Sequence, residues 1–144
     1  MTSVLVVDDE PMLRTLVADV LDEAGYFVTT ASDGEQAIER LRDMRPDVLL
    51  LDLSMPGIDG WAVLESLAAS KSRRGLPIGI MSAARNVERA IPFSGAVRLI
   101  SKPFDLDDLL QTVHELATHS AVSYSALHPE LPRRRPRRSF ASAV

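Results

Sequence analysis

The 144-residue chain contains no cysteine. A disulfide scaffold, a thiolate metal centre and a cysteine nucleophile are therefore excluded. No apolar run approaches the ~20 residues that cross a bilayer, and no basic stretch precedes the first apolar segment, so neither a membrane span nor a signal peptide is expected. The cytoplasm is the expected compartment. No internal repeat is evident. Positive charge is scarce over most of the chain: residues 1–118 carry 19 acids against 11 bases, a net −8. Residues 119–144 reverse this, with five arginines and only Glu130, a net +4. The acidic part is not expected to bind nucleic acid non-specifically. The length suits one domain with its own core.

What is present is organised around Val48-Leu49-Leu50-Leu51-Asp52. Four large aliphatic residues in a row predict a strand buried on both faces of a parallel sheet. The strand ends in a lone carboxylate, Asp52, and then in Met55-Pro56-Gly57, which cannot extend it. Open α/β sheets place ligands and chemistry at the carboxyl ends of their strands.

The other segments fall into the same rhythm. Ser3–Val7 predicts a strand, and Pro11, with acids taken to lie in the first turn, predicts a helix that Gly25 stops. Leu13, Leu16, Val17, Val20, Leu21 and Ala24 form its expected inner face. Tyr26–Thr30 predicts the second strand, and a helix follows Ser32-Asp33-Gly34-Glu35, with Ala37, Ile38, Leu41 and Met44 inward. Trp61–Ala69 predicts a third helix and Leu76–Met81 a fourth strand. A helical turn and a half is expected over 86–91, cut short by Pro92. Val97–Ile100 predicts the fifth strand, and Asp105 caps a last helix whose inner face is Leu109, Leu110, Val113 and Leu116. Trp61 and Phe104 are expected to be packing residues. The alternation implies an α/β fold, a doubly wound five-stranded parallel sheet with helices on both faces.

Strands 1, 3, 4 and 5 end in Asp8-Asp9, Asp52, Ser82 and Lys102. A parallel sheet gathers these ends on one side. Carboxylates packed there repel one another, and a hard divalent cation such as Mg²⁺ relieves the repulsion. A carboxylate nucleophile, a cation, a hydroxyl and a lysine together describe phosphoryl transfer onto Asp52. Glu10 is assigned to the helix start.

These fragments resemble the receiver domain of bacterial two-component response regulators, of the chemotaxis-regulator type. The resemblance rests on Val7-Asp8-Asp9-Glu10, the stretch Leu51–Gly60, Met81-Ser82-Ala83 and Lys102-Pro103-Phe104, and covers residues 2–118. It implies sheet order 2-1-3-4-5. It also implies that Asp52 accepts phosphoryl from a sensor histidine kinase or a histidine phosphotransfer protein. Asp8, Asp9 and Asp52 would hold Mg²⁺, Asp8 largely through water, with the Ser54 backbone carbonyl as a further ligand. Ser82 and Lys102 would hold the phosphoryl group. Such a domain signals to a downstream protein target, or as a homodimer, and turns over no external substrate.

One departure concerns output. Three residues before the lysine the family usually has an aromatic ring that turns inward; here the switch position is Leu99. A phosphorylation-independent interaction module on the same fold is therefore the alternative, with a metal-dependent phosphatase a more distant one. Two decoys fail. His114 and His119 are five apart rather than four, so they do not share a helix face as zinc ligands. A dehalogenase-type phosphatase would want an acid at Ser54. The domain is expected over 1–118, stand-alone, followed by a Pro/Arg-rich tail over 119–144. That tail fits a solvated linker, or a basic arm for an acidic partner, this domain included.

Overall fold

The computed structural model describes residues 1–53, 55, 57, 59–70, 75–82 and 97–127. The expected helix over 86–91, Ser54 and the arginine cluster lie outside these residues. Five strands form one parallel sheet: β1 (Ser3–Val7), β2 (Phe27–Ala31), β3 (Val48–Asp52), β4 (Ile78–Ser82) and β5 (Val97–Ser101). Their order is β2-β1-β3-β4-β5, as the resemblance implied. The described helices are α1 (Pro11–Glu23), α2 (Gly34–Asp43), α3 (Gly60–Ala69) and α4 (Leu106–Leu127).

Alternation along each strand divides the core in two. Leu5 and Val7, Leu49 and Leu51, and Ile78 and Ile80 pack with α2 and α3. Val4 and Val6, Val48 and Leu50, and Met81 and Ile100 pack with α1 and α4. All five β3 residues are buried, which is why the strand reads as a continuous apolar run. Each fully buried aliphatic side chain of this kind contributes about 1.5–3 kcal/mol.

Local chemistry sets the helix ends. Pro11 opens α1 behind Glu10, whose side chain makes no cap bond. The acids 8–10 therefore precede the helix and none lies in its first turn, contrary to expectation. Gly25 ends α1 at φ 96°, with Gly25 N–H donating to Asp22 O (3.0 Å) and Tyr26 N–H to Leu21 O (3.1 Å), a Schellman closure. The Asp33 carboxylate accepts from Gln36 N–H at 2.8 Å, and the Gln36 side chain reaches back to Ser32 N–H at 2.9 Å. The Asp59 carboxylate caps α3 by accepting from Ala62 N–H at 3.0 Å.

Three expectations shift. Leu16 is exposed, because the buried stripe of α1 is Val17 and Leu21, and Leu16 instead follows exposed Met12 by one turn. Strand β2 starts one residue late, at Phe27, with Tyr26 buried ahead of it. Helix α4 runs to Leu127, past residue 118, a length of about 33 Å.

Gly79 lies between β3 and β5 under α4. A Cβ there would stand 2.6 Å from Leu50 Cδ2, 3.2 Å from Ile100 Cδ1 and 3.4 Å from Leu116 Cδ1. Gly79→Val is expected to destabilise the fold by about 1–3 kcal/mol through overpacking. Urea unfolding should show a lower midpoint at unchanged slope.

Candidate functional site

The alternation that builds the core also aims the site. On β1 the residues facing α1 and α4 are Val4 and Val6, and the next in phase is Asp8. On β3 they are Val48 and Leu50, and then Asp52; after Ile100 the next in phase is Lys102. Because Val7 pairs with Leu51, the following step sets Asp8 beside Asp52. Asp52 pairs with Met81, so Ser82 stands one step further along β4. Ser82 pairs with Ser101, and Lys102 N–H donates to Ser82 O at 3.2 Å.

Asp8 (0% exposed), Asp52 (3%) and Ser82 (2%) are the buried polar side chains among the described residues. Lys102 Nζ donates to Asp8 Oδ2 at 3.0 Å and to Asp52 Oδ2 at 3.4 Å. Burial works to lower the Lys102 pKa. The hydrogen bond to Asp8, the charges of Asp52 and Asp8 and the bond to Asp52 outweigh it, holding the ammonium above its ordinary value. The group is a fixed cation at neutral pH.

Asp8 is anchored at every polar atom. Its N–H donates to Ala31 O (3.2 Å), Oδ1 accepts from Glu10 N–H (2.9 Å), Oδ2 accepts from Lys102, and its carbonyl accepts from Arg14 Nη1 (2.8 Å). Asp9 is exposed at the mouth of the site. Asp8, Asp9 and Asp52 each bring a carboxylate oxygen within 4.8 Å of the others. Hard oxygen donors so grouped fit Mg²⁺, which takes one or two carboxylates and keeps several waters. The partly committed Asp8 oxygens suit a role through such water.

The structure thus brings together Asp8, Asp9, Asp52 and Lys102, and places Ser82 one register step from Asp52. Leu99, at the position where the resemblance implied a switch residue, is 37% exposed on the edge strand β5 opposite Ile80. Its neighbour Arg98 reaches Glu115 of α4 at 4.0 Å, an exposed pair of little energetic weight. His114 is exposed on α4, and Trp61 and Phe104 pack against the two halves of the core, as expected. Sequence reasoning missed two contributors. Arg14 gave no signal, since its partner is a backbone carbonyl. Gly60 gave a weak one, as a glycine at a helix start close behind a strand-end acid. A Cβ on Gly60 would collide with the Asp52 carbonyl oxygen and stand 2.7 Å from Leu53 Cα.

A family model described as the response regulator receiver domain matches residues 4–114. The nitrate/nitrite response regulator protein NarL of Escherichia coli is 36% identical over 132 residues, which cover 90% of this chain and 61% of NarL. The DNA-binding dual master transcriptional regulator RpaA of Synechocystis is 31% identical over 134 residues, 91% of this chain and 56% of RpaA. Among solved structures, the Vibrio cholerae chemotaxis protein CheY4 superposes with a TM-score of 0.73 at 30% identity, covering 81% of this chain and 98% of that one. The chain spans between about a quarter and three fifths of the length of the curated relatives it matches.

Gly60→Ala is expected to displace the turn after β3. Amide NMR spectra should show the largest shifts at Asp52 and Leu53, with a stability loss of about 1–3 kcal/mol.

Proposed function

The chain belongs to the response regulator receiver domain family of two-component systems, and from that premise we propose that it is a phosphoryl acceptor whose acceptor atom is a carboxylate oxygen of Asp52. The observation that carries this reading is the Lys102 bridge between Asp8 and Asp52, beside an acidic triad fit for a hard cation.

In this reading a phosphohistidine on a sensor kinase or a phosphotransfer protein presents its phosphoryl group at the carboxyl edge of the sheet. An Asp52 oxygen attacks phosphorus, the P–N bond breaks, and the imidazole leaves with its electron pair and takes up a proton. The product is an acyl phosphate on Asp52. Later attack by water on phosphorus returns the carboxylate and inorganic phosphate. Asp9 and Asp52 would hold Mg²⁺ directly and Asp8 through water, and the ion would supply neutralisation of the oxygen charge that builds on the phosphoryl group.

The chain's own groups do the positioning. Lys102 moves its attention from the Asp52 carboxylate to a phosphoryl oxygen, keeping its bond to Asp8 and hence its place. The Ser82 hydroxyl, one step beyond Asp52, donates to another phosphoryl oxygen. Ser54, outside the described residues, is the proposed carbonyl ligand to the metal. The domain extends over 1–118 in this proposal, and it turns over no substrate beyond its own aspartyl phosphate. Output passes to a protein target. RpaA is a DNA-binding regulator, whereas the net negative charge of residues 1–118 here favours a protein contact. Leu99 removes the ring readout but leaves the acceptor chemistry intact. A receiver fold that acts without phosphorylation is the second reading, and Leu99 is what favours it.

Incubation with a small acyl phosphate and Mg²⁺ should raise the intact mass by one phosphoryl group, in a form labile to hydroxylamine. Asp52→Asn or withdrawal of Mg²⁺ should abolish the adduct. An adduct of equal yield in Asp52→Asn would overturn the assignment, and none in the wild type would favour the second reading.

A further inference from the structure

Arg14 stands in the first turn of α1, where a cation is unfavourable beside the positive end of the helix dipole. It is half-buried, and four carboxylates lie within six residues of it in sequence, Asp8, Asp9 and Glu10 before it and Asp19 after it. Among the described residues it nevertheless makes no ion pair. Nη1 instead donates to the backbone carbonyl of Asp8 at 2.8 Å. Meanwhile Arg14 N–H closes the first helical bond onto Glu10 O at 2.9 Å, and Glu10 N–H donates to Asp8 Oδ1, also at 2.9 Å. The turn 8–10 is thus tied to α1 at both ends by one residue.

We propose that Arg14 is the positioning residue of the cation pocket: by holding the Asp8 carbonyl it fixes the turn that aims the exposed Asp9 carboxylate at Asp52. The inference rests on the phosphoacceptor reading of the same site. Asp9 has little else to place it. Asp8 is pinned by four bonds and Glu10 by the helix, so Asp9, the one residue between them, takes its direction from those two anchors. Bonding to a carbonyl has a second consequence. Arg14 adds positive charge beside the carboxylates without covering any of the oxygens a metal would need, which Lys102 does cover on Asp8 and Asp52.

The two contributions carry opposite signs for metal binding, so experiment separates them. Removing a positive charge alone would tighten Mg²⁺; losing the anchor would weaken it. Isothermal titration calorimetry with Mg²⁺ reads the affinity directly. Arg14→Ala should bind Mg²⁺ about tenfold or more weakly, in the range found when an outer partner of a ligand is removed. Arg14→Lys, which can still donate to the carbonyl, should recover most of the loss.

Unchanged or tighter binding by Arg14→Ala, with wild-type binding intact, overturns the proposal, as does Arg14→Lys binding no better than Arg14→Ala. If the wild type itself fails to bind Mg²⁺, the phosphoacceptor reading fails instead. Metal-free amide exchange then decides for Arg14: faster exchange at Glu10 in Arg14→Ala, with β1 and the rest of α1 unchanged, supports the anchor. Unchanged exchange at Glu10 overturns it. The urea midpoint of Arg14→Lys checks that a folded variant carries the comparison.

Discussion

One ammonium group reconciles two carboxylates that the sheet has buried side by side. Asp8 and Asp52 lie on neighbouring strands with almost no contact with water. Two such anions in a weakly polarisable setting repel strongly, and each also loses hydration. Lys102 answers both at 3.0 and 3.4 Å, and in turn its own charge is held on by theirs. The arrangement stays poised because the lysine divides itself between two partners. In the proposed chemistry, a phosphoryl group arriving on Asp52 draws the ammonium from that carboxylate toward its own oxygens, while the bond to Asp8 keeps the lysine in place.

That bridge depends on the sheet being parallel and in this order. The carboxyl ends of β1, β3, β4 and β5 share one edge, and β1 is adjacent to β3, which puts Asp8 and Asp52 within reach. The phase of the strands matters as much as their order. A slip of one residue in β3 would turn Asp52 to the α2–α3 face and bring Leu51 to the site. The alternating apolar pattern that makes such a slip costly is the same one that packs the two halves of the core. Fold stability and site geometry are in this sense set by one pattern of side chains.

Much of this was legible in the sequence because the signals are local. Val48–Asp52 announces a buried strand, Pro11 and Gly25 bracket a helix, and Asp33 and Asp59 occupy cap positions, each recognisable within a few residues. The strand-end residues Asp8, Asp9, Asp52, Ser82 and Lys102 were visible for the same reason; the parallel sheet implied by the strand–helix alternation supplied their grouping, and the family resemblance implied their roles. What stayed hidden depends on contacts between distant atoms. Nothing in the chain says that Lys102 lies nearer to Asp8 than to Asp52. Neither does it say that Arg14 spends its donor on a carbonyl, or that Gly60 leaves no room for a methyl group over the Asp52 backbone. Leu16 misled because it is apolar at helical spacing; only the position of the sheet shows that Val17 and Leu21 define the inner face. The length of α4 was missed because the polar, basic character of the final segment begins well after its last helix-compatible residue.

In the proposed reading, Asp8, Asp9, Asp52 and Lys102 form a working phosphoryl site. Its most direct test is a beryllofluoride titration followed by amide NMR, in wild type and in Asp52→Asn, with and without Mg²⁺. The account predicts saturable shifts at Asp52, Ser82 and Lys102 that require both the metal and the Asp52 carboxylate. Shifts that persist in Asp52→Asn, or a wild-type spectrum indifferent to beryllofluoride and Mg²⁺, would contradict it.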